Sequence, residues 1–168
     1  MQIREFLRGK SILITGATGF LGKPLVEKIL HDVPDIEQIY LLIRPKTKSN
    51  GEVITAADRL RSELLTSDVF DRLRKSRDDC DEFMESKLTA IGGDVSLEGL
   101  DIVPEEYEHL CRNVEVLINS AAVVVFDERL DFAAQLNALG PSRLLNFAKK
   151  CEKNPVFIHV STAYVNGQ

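Results

Sequence analysis

A glycine-rich stretch near the start of the chain carries the clearest chemical signal in the sequence. It reads Thr15-Gly-Ala-Thr-Gly-Phe-Leu-Gly22, between the aliphatic run Ser11–Thr15 and a helical pattern of Leu21, Leu25 and Ile29. A strand that turns sharply into a helix leaves unpaired N–H groups and the positive end of the helix dipole at the turn, and glycines let a pyrophosphate approach the backbone. Glycines alone also serve tight turns, so it is the flanking strand and helix that predict a dinucleotide site. The loop residues expected to contact the cofactor are Gly16, Thr18, Gly19, Phe20, Leu21 and Gly22.

The residues after the second predicted strand indicate which dinucleotide is bound. That strand is Ile39–Ile43, and Arg44, Lys46 and Lys48 follow it in a run that contains no carboxylate. In dinucleotide-binding folds an acidic residue near this place binds the ribose 2′-hydroxyl of NAD, whereas an arginine accommodates the 2′-phosphate of NADP. The sequence therefore predicts NADPH, with Arg44 as the partner of the phosphate and the two lysines as further candidates. The alternative is that these cations are solvated loop residues.

Short apolar runs alternate with helical patterns along the whole chain. Besides the two runs already named, the predicted strands are Leu88–Gly92, Val114–Asn119 and Val156–Ser161, with helical segments over 107–111 and 130–151. This alternation predicts an α/β fold, a doubly wound parallel sheet (Rossmann fold) of five strands with helices on both faces. The stretch from 44 to 87 is too long for a simple crossover and is expected to hold two short helices. No linker divides the chain, so residues 1–168 are predicted to form one domain.

Composition excludes several classes of function. The 168 residues carry 21 Lys and Arg against 26 Asp and Glu, a formal net charge of −5, which argues against nucleic acid as a partner. The cysteines, Cys80, Cys111 and Cys151, are far apart in sequence, and no group of ligand residues has metal-binding spacing, so neither a disulfide framework nor a metal site is predicted. No apolar run is long enough to span a bilayer. An intracellular, reducing compartment is expected, and the oligomeric state stays open.

Several motifs resemble the fatty acyl-CoA reductases, within the extended short-chain dehydrogenase/reductase superfamily. Beyond the glycine stretch, they are Asn119-Ser-Ala-Ala122, Phe126-Asp-Glu-Arg129, Asn146-Phe-Ala-Lys-Lys-Cys151 and His159-Val-Ser-Thr-Ala-Tyr-Val165. The likeness extends over essentially the whole chain. The glycine stretch identifies only the superfamily, whereas the segments beginning at Phe126 and His159 are narrower and favour an acyl-CoA reductase over epimerases and dehydratases of nucleotide sugars.

The resemblance assigns roles at the two ends of the cofactor. It implies that Asp94 accepts a hydrogen bond from the adenine amino group and that Val95 packs beside the base, although an Asp after two glycines is otherwise a turn residue. Asn119, Ala121 and Ala122 end the fourth predicted strand, at the sheet edge where ligands bind. Small residues there would let the ribose and nicotinamide lie against the backbone, and they also suit a tight exit from the strand.

The helical segment over 130–151 is also expected to border the cofactor site. By resemblance, Asn137 is the helix asparagine that lies beside the cofactor. Pro141 departs from the family pattern, and because proline inside a helix removes a hydrogen bond, we expect a kink or restart near Gly140.

The catalytic residues are only partly present. Hydride transfer to a thioester places negative charge on the carbonyl oxygen, which needs hydrogen-bond donors and an acid. By resemblance, Thr162 supplies the catalytic hydroxyl and Ser161 supports it, although a Ser-Thr pair at a strand end is otherwise a turn or cap. His159 is expected to be a packed core residue. The superfamily's Tyr-x-x-x-Lys pair is absent, because the residues four places after Tyr40, Tyr107 and Tyr164 are Arg44, Cys111 and Gln168.

The sequence therefore predicts the N-terminal, cofactor-binding part of a longer reductase, inactive by itself. The resemblance implies NADPH-dependent reduction of long-chain fatty acyl-CoA to fatty aldehyde or primary alcohol by the parent protein. Two alternatives stay open: another extended reductase, acting on carrier-protein thioesters or nucleotide sugars, or a regulator that binds the dinucleotide without chemistry. Acyl chain length is not determined by these residues.

Overall fold

A parallel sheet dominates the computed structural model, which describes residues 2–125 and 127–162. The described strands are β1 (Ser11–Thr15), β2 (Gln38–Ile43), β3 (Lys46–Thr47), β4 (Val53–Ile54), β5 (Leu88–Gly92), β6 (Val116–Asn119) and β7 (Val156–His159). The main sheet has the order β5-β2-β1-β6-β7 with every neighbouring pair parallel, and β3 and β4 form a separate antiparallel pair. Because β2 and β5 lie on one side of the central β1 and β6 and β7 lie on the other, the sheet is doubly wound. The predicted fold class is confirmed.

Buried aliphatic side chains on both faces explain the sheet. Every residue of β1 is buried, and alternate residues belong to two different cores. Ile12 and Ile14 pack in one core with side chains from the first long helix, whereas Leu13 packs in the other, with Leu117 and Leu144. A strand buried on both faces is typical of a parallel sheet between two helical layers.

Helices fill both layers of the described chain. They are α1 (Ile3–Leu7), α2 (Gly22–Asp32), α3 (Ala56–Arg59), α4 (Asp71–Ser76), α5 (Cys80–Lys87), α6 (Pro104–Asn113), α7 (Leu130–Ala134) and α8 (Gly140–Ala148). One core includes α2 and most of the connection between β2 and β5, and the other includes α6 and α8. Within that connection α3 continues as a π-helix, Leu60–Leu65, so it holds more helical segments than the two expected.

The last strand, β7, differs from the prediction in its length and in the burial of its side chains. The strand ends at His159 rather than Ser161, and its neighbour in the sheet is β6 alone. His159, expected in the core, is exposed, because an edge strand of the described sheet is packed less completely than a central one. Phe157 of the same strand packs against the core that contains α8.

The helical segment after residue 130 contains the expected irregularity. It begins as α7, passes through the π-helix Gln135–Leu139, and restarts as α8 at Gly140. Pro141 then lies in the first turn of α8, where its missing N–H is not needed for an intrahelical bond. The predicted restart near Gly140 is confirmed.

Candidate functional site

In the turn from β1 into α2, the backbone at Gly16 and Gly22 lies very close to neighbouring backbone atoms. Gly16 has φ +72°, and a Cβ built on it would lie 2.7 Å from the amide nitrogen of Ala121. A Cβ on Gly22 would collide with the carbonyl oxygen of Gly16 and would lie 2.6 Å from the Cα of Ala17. The first glycine therefore permits the sharp turn and the third permits α2 to pack against it. These are the roles that glycines take in a pyrophosphate-binding turn.

Thr15 ties the carboxyl ends of β1 and β6 together. Its hydroxyl donates to Asn119 Oδ1 at 2.6 Å and accepts from the backbone N–H groups of Ser120 and Ala121 at 3.2 and 3.1 Å. Asn119 Nδ2 in turn lies 3.0 Å from His159 Nδ1 on β7. Asn119 is only 1% exposed, and these partners occupy its amide. Its buried side chain therefore connects the carboxyl ends of β1, β6 and β7.

A cavity of about 270 Å³ opens at these strand ends. Eight of the predicted site residues line it: Gly16, Thr18, Gly19, Arg44, Asp94, Val95, Ala121 and Ala122. Phe20, Leu21, Gly22 and Asn119 do not line it, and the Phe20 side chain is 98% exposed. The structure thus brings the glycine turn, the end of β2 and the segment after β6 to one place, as expected at the carboxyl edge of a doubly wound sheet.

A second cavity, of about 580 Å³, lies beside the first and shares Ala121 and Ala122 with it. Its other lining residues are Val123, Val124, Val125, Asn137, His159, Val160, Ser161 and Thr162. The shared alanines place the predicted hydroxyls, Ser161 and Thr162, along one edge of the sheet with the glycine turn. The residues Phe126 and 163–168, among them Tyr164, lie outside the described part of the chain.

Asn137 fastens the wall of the second cavity. Its Oδ1 accepts from the backbone N–H of Val123 and its Nδ2 donates to the carbonyl of Val123, both at 2.8 Å. The side chain therefore pairs with both backbone groups of one residue, as a neighbouring strand would. It lines the second cavity and holds Val123 in the cavity wall.

Carboxylates lie closer to the predicted phosphate-binding cations than the local sequence indicates. Arg44 lies 3.6 Å from Asp94 Oδ2, and Lys46 and Lys48 pair with Glu63 and Glu52 at 3.0 and 2.9 Å. The absence of a carboxylate from the run itself therefore does not leave these cations without acidic partners. The run shows only neighbours in sequence, whereas the fold brings Asp94 from the segment after β5 and Glu63 from the helix after α3. Arg44 and Lys46 nevertheless line the first cavity, and the Arg44 side chain is half-exposed.

Asp94 also serves as a turn residue. Its Oδ1 accepts from the backbone N–H and the hydroxyl of Ser96, at 2.8 and 2.7 Å, so the alternative weighed for it is present in the structure. Its other carboxylate oxygen faces Arg44 at the cavity, and Val95 is buried beside it.

Arg59 is a charged residue of the first cavity that sequence reasoning missed. It lies at the end of α3, only 7% exposed, and lines the first cavity. It hydrogen-bonds to Glu63, to the carbonyl of Arg44 and to Thr18 Oγ1. A Thr55-x-x-Asp58 capping box starting α3 was the available signal, since it places Arg59 on a helix rather than in a loop.

Residues 2–125 and 127–162 contain neither a cluster of metal ligands nor a membrane-spanning helix. No group of three or more His, Cys, Asp or Glu side chains there could hold a metal ion. Within the same ranges, each helix is too short or too polar to span a lipid bilayer.

Comparison with known proteins decides the family. The NAD-binding family model described as "Male sterility protein" matches residues 14–168. The chain belongs to this family. Fatty acyl-CoA reductase 2, chloroplastic, of Arabidopsis thaliana is 43% identical over 169 residues, and fatty acyl-CoA reductase 1 of the same plant is 42% identical over 168. The resemblance predicted from the sequence is confirmed, and the cofactor class is a nicotinamide dinucleotide.

These relatives are much longer than this chain. The alignments cover 100% and 98% of it but only 27% and 33% of the two reductases. Solved structures show the same fold. The terminal R domain from the myxalamid PKS-NRPS pathway superposes with a TM-score of 0.70 at 24% identity, covering 94% of this chain and 36% of its own. The reductase domain of a nonribosomal peptide synthetase from Mycobacterium tuberculosis gives 0.69 at 26% identity, covering 93% and 34%.

Proposed function

We propose that this chain binds NADPH across the carboxyl edge of its sheet. The observation that carries the proposal is that the glycine turn, which has no room for a Cβ at Gly16 or Gly22, shares one cavity with Arg44, Lys46 and Arg59. The glycine turn suits a pyrophosphate, and a cationic end suits a further phosphate group. Family membership supports a dinucleotide, and the cations support NADPH over NADH.

Each predicted residue has a place in this proposal. Loop residues Gly16, Thr18, Gly19, Phe20, Leu21 and Gly22 would hold the pyrophosphate, largely through backbone N–H groups at the start of α2. Asp94 and Val95 would border the adenine. Ala121 and Ala122 would lie along the ribose and nicotinamide, above Asn119, while Asn137 fixes the backbone beside them.

We propose further that the longer protein reduces long-chain fatty acyl-CoA to aldehyde or alcohol. The bound cofactor supplies the hydride, and the chain's own groups orient the thioester. Thr162, with Ser161 beside it, would donate a hydrogen bond to the carbonyl oxygen as negative charge develops there. The exposed valines Val124 and Val125 would give an acyl chain an apolar wall in the second cavity. The proposal also places the protein in a reducing compartment, where its free cysteines stay thiols.

A second candidate function is reduction of thioesters on carrier proteins. It is favoured by the two solved reductase domains, both named from biosynthetic assembly lines. Parallel turnover assays with a long-chain acyl-CoA and with an acylated carrier protein, on the longer protein, separate the two. A regulator without chemistry would turn over neither.

The choice of cofactor is tested by Arg44→Ala. Because a hydrogen bond to a charged group contributes about 1.5–3 kcal/mol, we expect NADPH affinity to fall by at least about tenfold, with NADH affinity nearly unchanged. Lys48→Ala is the matched control, since Lys48 belongs to the same run, pairs with Glu52 and does not line the cavity. Titration by coenzyme fluorescence or calorimetry measures both. Equal affinities of the unmodified chain for NADPH and NADH would overturn the proposal.

A further inference from the structure

Arg59 and Glu63 join three separate parts of the first cavity, and we call this pair the Arg59–Glu63 brace. Arg59 Nε and one terminal nitrogen donate to the two carboxylate oxygens of Glu63, at 2.8 and 2.6 Å. Arg59 Nη1 donates to the carbonyl of Arg44 at 2.7 Å. Arg59 Nη2, which also binds Glu63, donates to Thr18 Oγ1 at 3.3 Å. The brace therefore links the helix after α3, the end of β2 and the glycine loop.

We propose that the Arg59–Glu63 brace is a positioning device for 2′-phosphate selectivity, holding the backbone of Arg44 at a fixed place relative to the glycine loop. The inference rests on the proposed binding of NADPH. Arg44 lies just after β2, at the start of an exposed segment, where a hydrogen bond to its backbone restricts its position. Arg59 provides it through the Arg44 carbonyl, from a buried position.

The hydrogen bonds of Arg59 assign it to holding the site rather than contacting the phosphate. Its fork already serves Glu63, Arg44 and Thr18. A guanidinium can meet three partners in one plane, whereas the ammonium of lysine is a point charge without a fork. Arg44, which points its half-exposed side chain at the cavity, keeps the role of direct partner.

Glu63 completes the brace and balances its charge. Hydrogen bonding from Arg59 lowers the pKa of Glu63 to about 2 against the opposing effect of burial, and Lys46 adds to the lowering. The carboxylate is therefore ionised at neutral pH and places one negative charge between the two cations beside it. Arg59 and Lys46 lie 2.6 and 3.0 Å from Glu63, whereas Arg44 lies 3.6 Å from Asp94. Arg44 is therefore the least closely paired of the three cations and the main candidate to contact the 2′-phosphate.

The test compares NADPH and NADH affinities of the full chain in four variants. Arg59→Met removes the donors but keeps the stem, Arg59→Lys keeps the charge without the fork, and Glu63→Gln keeps the shape without the charge. Arg72→Met is the matched control, because Arg72 forms the same two-pronged pair with buried Glu27, at 3.0 and 2.7 Å, away from both cavities. Thermal unfolding of each variant reports whether it folds.

We expect both Arg59 variants to lower the ratio of NADPH to NADH affinity by about tenfold, and Glu63→Gln by about threefold, as the loss of charged hydrogen bonds predicts. Arg72→Met should reduce thermal stability and leave the ratio unchanged. The inference is overturned by an unchanged ratio in Arg59→Met and Glu63→Gln, by full recovery in Arg59→Lys, or by a rise of NADPH affinity in Glu63→Gln. That rise would mean that Arg59, once released, binds the phosphate directly.

Failure of the proposed function is read from the unmodified chain alone. If it binds NADPH and NADH equally, or neither, the choice of NADPH fails and the brace inference fails with it. If it prefers NADPH and the variants keep that preference, only the brace inference fails.

Discussion

Single buried side chains determine where the backbone of the candidate site lies. Thr15 is 1% exposed, and its hydroxyl meets Asn119 and two backbone N–H groups of the segment after β6. Buried polar groups keep such partners because an unpaired one costs about 1–3 kcal/mol. One hydroxyl therefore fixes the Ser120–Ala121 backbone against Gly16, where a Cβ has no room.

Cys151 provides a pH-dependent prediction at the scale of one residue. Burial raises the pKa of its thiol to about 12, and the nearby Cys111 thiol adds to the rise. The unfolded chain ionises this thiol near pH 9, so above that pH the folded state holds more protons. The stability that Cys151 contributes is complete below pH 9 and is lost as the pH rises toward 12.

The measurement is urea unfolding of the unmodified chain and of Cys151→Ala from about pH 8 to about pH 11. Above about pH 9 the unmodified chain should lose stability relative to the variant by up to roughly 1 kcal/mol per pH unit. Parallel pH curves for the two proteins would contradict this account.

At the scale of elements, the π-helix Gln135–Leu139 places Asn137 against a loop. The extra residue in a π-turn shifts the side chains that follow, and such bulges are common at functional sites. Here it lies between α7 and α8, and Asn137 within it pairs with both backbone groups of Val123. The bulge and the wall of the second cavity thus form one structural unit.

Asn137→Ala tests this unit. The two lost hydrogen bonds should loosen the Ala121–Val125 backbone and weaken NADPH binding by about three- to tenfold, with little loss of stability because the side chain is exposed. Asn113→Ala is the control, since Asn113 is a partly exposed helix asparagine whose amide donates to the carbonyl of His109 at 2.7 Å, outside both cavities. Coenzyme titration of the two variants decides, and equal affinities would argue against a positioning role.

At the scale of the whole molecule, the sheet edge at β7 carries exposed apolar side chains. Val156 and Ile158 are exposed, although their register partners on β6, Val116 and Ile118, are buried. They belong to the face on which α2 packs further along the sheet. The proposed catalytic hydroxyls follow directly after this strand, at its carboxyl end.

We predict that the full chain binds NADPH without reducing acyl-CoA. The hydroxyls of Ser161 and Thr162 can donate hydrogen bonds, but the sequence has no tyrosine followed four places later by a lysine that would lower the phenol pKa. Consumption of NADPH, followed by absorbance with a long-chain acyl-CoA present, should not exceed the rate without protein. Arg44→Ala serves as the control for binding in the same titrations, and catalytic turnover by the unmodified chain would refute the prediction.

The sequence by itself determined the fold and predicted where the candidate site lies. Aliphatic runs such as Ser11–Thr15, followed by helical periodicity, are local patterns, and a parallel sheet brings the carboxyl ends of its strands to one edge. The glycine spacing likewise depends only on a turn between neighbouring elements. Strand ends were predicted within two residues, and the restart at Gly140 followed from the chemistry of one proline.

Only the tertiary structure decided which charges and side chains meet. Arg59, Glu63 and Asp94 are separated from the glycine turn by tens of residues. No local pattern therefore shows that Arg59 and Asp94 contact Arg44, or that Glu63 pairs with Arg59 and Lys46. His159 alternates like a core residue, yet it is exposed because β7 has a neighbour on one side only in the described sheet. Periodicity reports the face on which a side chain lies, whereas pairing and burial depend on which distant segments pack there.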